Sequence, residues 1–255
     1  MLREVTAVRY AAPLREGGSM PGLVAGDDHR LYALKWSGAA QGRKALVAEV
    51  LAGELGRSLG LPVPELVRIE LDPVLARSEP EQQIQDQMRA SGGVNIGLAF
   101  VSGALNFDPL CFEVPAGLAA RVLWFDALIG NVDRSWRNPN LLVADGELVL
   151  IDHGASLIFH HSWSGAAGWT RRPYDAGDHA LRRFAGPALA AADAELAERC
   201  TPELLAAAAA AVPEEFLLDE PGFEGPDAVR AAYVDQLTAR LAGPRDWLPA
   251  LEGAR

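Results

Sequence analysis

The stretch IGNVDRSWRNPNLLV (residues 129–143), with IDHG (151–154) close behind it, decides how the chain reads. Between them the apolar runs LLVA and ELVL flank Asp145-Gly146, a dipeptide suited to the two-residue turn of a β-hairpin. A hairpin holds its two ends side by side. The loop entering it carries Asp133 and Asn138, and the turn leaving it carries Asp152, so these three side chains are predicted to converge. Any one of them alone reads as an ordinary turn or cap residue. Together they suggest a site. A loop Asp can orient or deprotonate a hydroxyl, and an amide oxygen five residues on can complete a metal shell. An Asp that follows a buried strand and precedes Gly can take Mg²⁺ while the chain turns away. Asn140 competes with Asn138 for the amide role.

Upstream, VTAVRY, LVAG and LYALKW read as short strands joined by the polar turns REGGSMPG and DDHR, a small antiparallel sheet. Alternation along LYALKW sends Lys35 to one face. Apolar residues at helical spacing from Gln41 to Leu59 predict a helix that Gly60, Pro62 and Pro64 terminate. This helix carries Glu49, a carboxylate with which a strand lysine can pair, while Glu54, five residues on, lies on another face. In the turn Gly17-Gly18-Ser19-Met20, missing side chains allow backbone N–H groups to approach phosphate oxygens, although such a turn alone is simply a hairpin turn. Glycine turn, strand lysine, loop Asp and terminal Asp occur in the order that phosphoryl transfer from ATP uses.

The rest of the chain bounds this reading. A formal charge of −11 over 255 residues argues against a phosphate-neutralising surface, so no nucleic-acid partner is expected. The first residues lack an apolar h-region and no apolar run is long enough for a membrane span, which reads as a cytoplasmic chain. Cys111 and Cys200 stand apart and suggest reduced thiols. Of 23 basic residues only Lys35 and Lys44 are lysines, and a position that keeps Lys among arginines can require a compact ammonium. Residues 77–93 read as an exposed loop or weak surface helix, and IGLAFVSGAL as a strand leading to a connector. A helix is predicted over 116–129, a structured loop with short helical pieces over 155–185, and mainly helix from 186 onward. The pair His160-His161 is read as loop rather than metal site, because adjacent side chains point apart. Arg171-Arg172 and Arg182-Arg183 read as solvated or salt-bridged, and Trp124, Trp136 and Trp163 as core or loop anchors.

With these residues in view, the chain resembles the HipA-like serine/threonine kinases, part of the wider protein-kinase-like fold that includes phosphatidylinositol 3-/4-kinase-like enzymes. The resemblance runs from about Gly17 to Gly154 and is most specific in IGNVDRSWRNPNLLV, IDHG and the helix end LGLPVPE. It implies an α+β, two-lobed fold, with a small antiparallel-sheet N-lobe over 1–100 and a mainly helical C-lobe over 101–255. It also implies ATP and Mg²⁺ as cofactors. Asp133 is then the catalytic base, Asn138 and Asp152 the metal ligands, Lys35 the phosphate contact, Glu49 its partner, and Gly17, Gly18, Ser19 and Met20 the phosphate loop. By the same analogy Ser19 is a candidate for autophosphorylation. No HRD triplet precedes the loop and His153 stands where protein kinases have Phe, both of which suit this branch. The chain is shorter than the HipA toxins and is expected to lack their extra N-terminal subdomain, so neither a toxin role nor an antitoxin-like partner follows. The implied reaction is transfer of the ATP γ-phosphate to a Ser/Thr hydroxyl of a protein. A small-molecule or lipid-headgroup acceptor is the alternative within enzymes, and a catalytically inactive nucleotide-binding adaptor the alternative outside them.

Overall fold

A computed structural model describes residues 1–14, 20–39 and 42–250 of the chain. Strands β1 (Arg3–Pro13), β2 (Gly22–Gly26), β3 (Leu31–Lys35), β4 (Leu66–Leu71) and β5 (Gly93–Ala99) close into a barrel in the order β1-β2-β3-β5-β4. Alternation decides what enters it. Tyr32 and Leu34 of β3, and Val67, Ile69 and Leu71 of β4, fill the interior, which leaves Lys35 on the opposite face. In β1 the buried side chains are Val5, Ala7 and then Tyr10, a change of phase that a bulge between Ala7 and Arg9 supplies. The expected antiparallel sheet holds except at one pair: β1 runs parallel to β4, from Arg3 beside Val67 to Thr6 beside Glu70. That pair closes the sheet and removes its free edges.

Helix α1 (Gly42–Ser58) bridges β3 and β4. It buries Leu46, Val47, Val50, Leu51 and Leu55, and these side chains belong to the same core as the later helices, separate from the barrel interior. Gly60, at φ 78°, ends the helix. The LGLPVPE segment that follows is stitched to its surroundings through backbone oxygens. Leu59 O accepts from Arg121 at 2.7 Å, Pro62 O from Leu150 N at 2.8 Å and Glu65 O from Ala99 N at 2.8 Å. Residues 77–93 contain a true helix, α2 (Gln82–Ala90), because Ile84 and Met88, four apart, form one apolar stripe against the barrel.

After β5 come the short strand β6 (Leu105–Asn106), helix α3 (Ala116–Ile129) and the hairpin β7 (Leu141–Ala144)–β8 (Glu147–Leu150). The hairpin turns at Asp145 and Gly146, both at positive φ, as a primed two-residue turn requires. Helix α3 is enclosed from Ala119 to Ile129 apart from Arg121, and its one carboxylate is Asp126. Residues 155–185 form 3-10 turns and two short helices, α4 (Ala166–Trp169) and α5 (Arg182–Ala185), before α6 (Ala188–Arg199), α7 (Pro202–Ala210) and α8 (Pro226–Ala242). No helix among the described residues is long and apolar enough to cross a membrane.

Gly97 shows how tightly the barrel is drawn, since a Cβ there would meet Ile69 Cδ1 at 2.2 Å. Gly97→Val is expected to lower stability by about 1–3 kcal/mol through overpacking, read as a shift in the urea unfolding midpoint.

Candidate active site

Strand β3 delivers the Lys35 ammonium between two carboxylates, with Glu49 Oε2 at 2.7 Å and Asp152 Oδ1 at 2.5 Å. Glu49 is fully buried, and its Oε2 also accepts the backbone N–H of His153 at 2.8 Å. One carboxylate on α1 thus fixes both the strand lysine and the turn after β8. Asp152 needs that support, because it adopts φ 57°, a conformation that non-glycine residues rarely take. Burial pushes the Glu49 carboxyl up, but the Lys35 charge and the His153 N–H outweigh it and hold the group down at about 2. For Lys35 burial acts against the charge, and Glu49 and Asp152 together carry the ammonium above its ordinary value. Glu54, the alternative partner, instead meets Arg57 at 3.3 Å.

The convergence expected of the hairpin ends is present. Ile151 N–H donates to Asn140 O at 3.1 Å, and Leu157 N–H to Ile129 O at 2.8 Å. In the entering loop, Asp133 Oδ2 accepts from Asn138 Nδ2 at 3.0 Å and from Asn140 Nδ2 at 3.2 Å. Both amides therefore orient the Asp133 carboxylate, and each keeps its oxygen for another partner. A cavity of about 1550 Å³ between barrel and helices ends at Lys35, Asn138, Asn140 and Asp152, with Leu98–Val101 along its side. A smaller cavity of about 410 Å³ shares Lys35, Asn138 and Asp152 with it and is lined in addition by Asp133. Of the expected phosphate loop, Gly17, Gly18 and Ser19 lie outside the described residues. Met20 is described, and its carbonyl accepts from Trp36 Nε1 at 2.8 Å.

Oxygen ligands suit a hard divalent cation, and Mg²⁺ commonly binds through one or two protein groups with phosphate oxygens completing its shell. Asp152 Oδ2 and Asn138 Oδ1 fit that pattern, because Lys35 and Asp133 engage the other atom of each. No cluster of three or more His, Cys, Asp or Glu side chains among the described residues is placed to hold a metal, so phosphate would have to contribute.

Beneath the loop lies a group of residues that the sequence reading missed. Asp126, fully buried on α3, accepts from Arg134 Nε at 2.6 Å and Asn131 Nδ2 at 2.9 Å, and its Oδ2 lies 3.1 Å from His179 Nε2. Arg134 Nη1 goes on to Asn140 O at 2.5 Å and Ile151 O at 3.3 Å, tying the two ends of the hairpin together. The available signal was a lone carboxylate in an otherwise apolar helix, eight residues before an Arg inside the motif. Burial pushes Asp126 up, yet Arg134 and His179 carry it well below the carboxylate range.

Other singled-out residues have ordinary partners. His160 is buried with Nδ1 2.8 Å from Tyr233 Oη, and burial pushes its ring down to about 3. Arg171 pairs with Asp246 at 2.8 Å, and Arg183 reaches Pro109 O and Glu113. Trp124 is core, Trp163 packs on Phe159 and Tyr233, and Trp136 is exposed beneath the Arg137 guanidinium.

A family model described as HipA-like kinase matches residues 8–167. Among solved structures, the chain is similar to the Helicobacter pylori proinflammatory kinase CtkA at 13% identity, with 89% of each chain covered and a TM-score of 0.55. That likeness shows a shared fold. A weaker one, to a Golgi casein kinase crystallised with Mn/ADP, has 12% identity, covers 94% of this chain and 72% of that one, and reaches a TM-score of 0.43; nothing is built on it. No curated protein matches the sequence.

Asp126→Asn is expected to cost about 3–5 kcal/mol, because it leaves the Arg134 charge buried and unbalanced, and a denaturant titration would read the loss directly. Acid should act through Glu49 and Asp126 together. Both have folded values below their ordinary 4.5 and 3.8, so protons bind the unfolded chain first as pH falls. Their stabilisation is full above the ordinary values and is lost on acidification, for Glu49 between 4.5 and about 2. Urea midpoints recorded from pH 6 to pH 3 should fall, and Glu49→Gln should flatten the slope by up to about 1.4 kcal/mol per pH unit.

Proposed function

The chain belongs to the HipA-like kinase family, and we propose that it is an ATP-dependent phosphotransferase acting on a Ser or Thr hydroxyl of a protein. The observation that carries this reading is the Lys35 ammonium held between Glu49 and Asp152 at the junction of two cavities, with Asp133 in the wall of the smaller. The larger cavity takes the nucleotide, with its base toward Leu98–Val101 and its phosphates toward Lys35. Asp152 and Asn138 would hold Mg²⁺, which would supply positive charge to the phosphate oxygens, the usual need in phosphoryl transfer.

The remaining work falls to the chain itself. Lys35, kept charged and fixed by Glu49, positions the phosphates with an ammonium that needs no reorganisation when charge shifts. Asp133, oriented by Asn138 and Asn140, accepts a hydrogen bond from the acceptor hydroxyl and aligns it with the γ-phosphorus. As the new O–P bond forms, the bond from the γ-phosphorus to the β–γ bridging oxygen breaks, and ADP departs with that electron pair. The hydroxyl proton passes to Asp133 and then to water. A compartment supplied with ATP, such as the cytoplasm, is where such a chain works.

The test combines thermal stabilisation by nucleotide with intact-mass analysis. Saturation at about 100 times Kd should stabilise the protein by about 2.7 kcal/mol. Asp152→Ala should lose the Mg²⁺-dependent part of that shift. Asp133→Asn should keep the shift but slow transfer by about 10²–10⁴-fold. Mass increments of one phosphate on the wild-type chain, mapped to Ser19, would show autophosphorylation. No response of the wild type at millimolar ATP and Mg²⁺ would sink the phosphotransferase reading, whereas a thermal shift with no phosphate transfer would favour the nucleotide-binding adaptor.

A further inference from the structure

The two cavities meet at Lys35, Asn138 and Asp152, but they differ in what else they display. The larger is bordered by Arg137, Arg182 and Arg183 and does not include Asp133. The smaller includes Asp133, and no arginine of the described chain lines it. Apart from Ser156 and His161, its remaining walls are small or apolar, among them Ala45 and Leu46 from α1, Val132 beside Asp133, and Ala155 and Ile158 from the segment beyond Asp152. Three separate elements thus contribute apolar surface around the Asp133 and Asp152 carboxylates.

This composition follows from the helix that supplies Glu49. Ala45 stands four residues before Glu49, so the face of α1 that presents the carboxylate to Lys35 also presents a methyl group to the smaller cavity. Gly154 faces the same space, and a Cβ there would stand 3.6 Å from the Ala45 Cβ. Val132 is an exposed apolar side chain at 65% exposure, immediately before Asp133. A cavity of about 410 Å³ lies within the range in which small ligands are held, yet is too small for a nucleotide and an acceptor together.

We propose that the acceptor hydroxyl enters through this smaller cavity, and that the enzyme selects Ser or Thr residues flanked by small, uncharged, apolar side chains. The inference rests on the phosphotransferase reading and names the substrate class of the same site. An acidic flanking residue would have to shed water against Ala45, Leu46 and Ile158 with no arginine to meet it, and a basic one would draw Asp133 and Asp152 away from the acceptor hydroxyl and from Lys35. Lys35 is the one lysine or arginine of the described residues in the wall, and Glu49 and Asp152 already occupy it. The arginines on the larger cavity do not serve an acidic acceptor here, because Asp133 does not open onto that side.

The test uses the full chain, radiolabelled ATP and three synthetic pentapeptides centred on serine, with flanks of Ala/Val, of Glu or of Arg. Wild type should favour the apolar peptide in kcat/KM by about tenfold or more over either charged one. Ala45→Phe, which fills the cavity from α1, should lower transfer to that peptide by about tenfold while the Kd for ATP stays within about twofold. Val132→Glu alters only an exposed side chain and keeps the result readable if the first variant folds poorly; it should weaken the apolar peptide and favour the Arg-flanked one. A wild-type preference for the Glu-flanked peptide overturns the proposal and moves the acceptor to Arg137 and Arg182. Undiminished transfer by Ala45→Phe overturns it as well. ATP binding separates these failures from that of the underlying reading: a chain that binds no ATP and labels no peptide refutes both, whereas one that binds ATP and ignores flanking chemistry refutes only this inference.

Discussion

Glu49 has no contact with solvent, and its Oε2 holds together three parts of the chain that are remote in sequence. It sits on α1, grips the Lys35 ammonium at the end of β3, and accepts the His153 N–H beyond β8. A buried carboxylate is tolerable only when its charge is answered. Here the answering groups are those to which the proposed function gives the phosphates and the metal, so the requirement that Glu49 be paired also sets the position of Lys35 and the backbone of Asp152. Since α1 packs into the core of the helical body rather than into the barrel interior, this one carboxylate fastens barrel to body at the mouth of the cleft.

Asp126 solves the same problem one layer deeper. Its partners Arg134 and Asn131 come from the loop that enters the hairpin and His179 from a segment some fifty residues away, and removing Arg134 would strand its charge. The result is a loop whose backbone is pinned from below, while Asp133 faces the cavity from above. Rigid support beneath and an open carboxylate on top is the arrangement that preorganisation favours, because the reacting geometry then costs little to reach.

Which parts of this were legible in the sequence follows from the range of the forces involved. The hairpin at Asp145-Gly146, the helix carrying Glu49 and the helix over 116–129 rest on local signals: turn chemistry, apolar spacing and a terminal glycine. Helical phase separated Glu49 from Glu54, the resemblance pointed to Glu49, and the structure pairs Lys35 with Glu49. The parallel closure of β1 on β4 was not, because the two strands are joined only through residues more than sixty positions apart, and nothing local distinguishes a parallel from an antiparallel neighbour. The Asp126 cluster escaped for a related reason. Its members have unremarkable neighbours in sequence, and only burial reveals that they must meet. For residues 77–93 the polar composition left loop and weak surface helix both open, and helix α2 holds through the pair Ile84 and Met88.

The scarcity of lysine gains a physical meaning in this setting. Lys35 and Lys44 are the only lysines in the chain, and both act on the position of α1. Lys44, near its start, reaches Glu220 at 2.7 Å and the carbonyl of His160 at 2.5 Å, so it anchors the helix to the C-terminal part of the fold as Lys35 anchors it to the barrel. A planar guanidinium favours side-by-side contact with one carboxylate, whereas a compact ammonium can sit between acceptors that approach from different directions. At Lys35 those acceptors are Glu49 and Asp152, and at Lys44 they are a carboxylate and a backbone oxygen. Both lysines thus stand at points where a single helix is held from two sides.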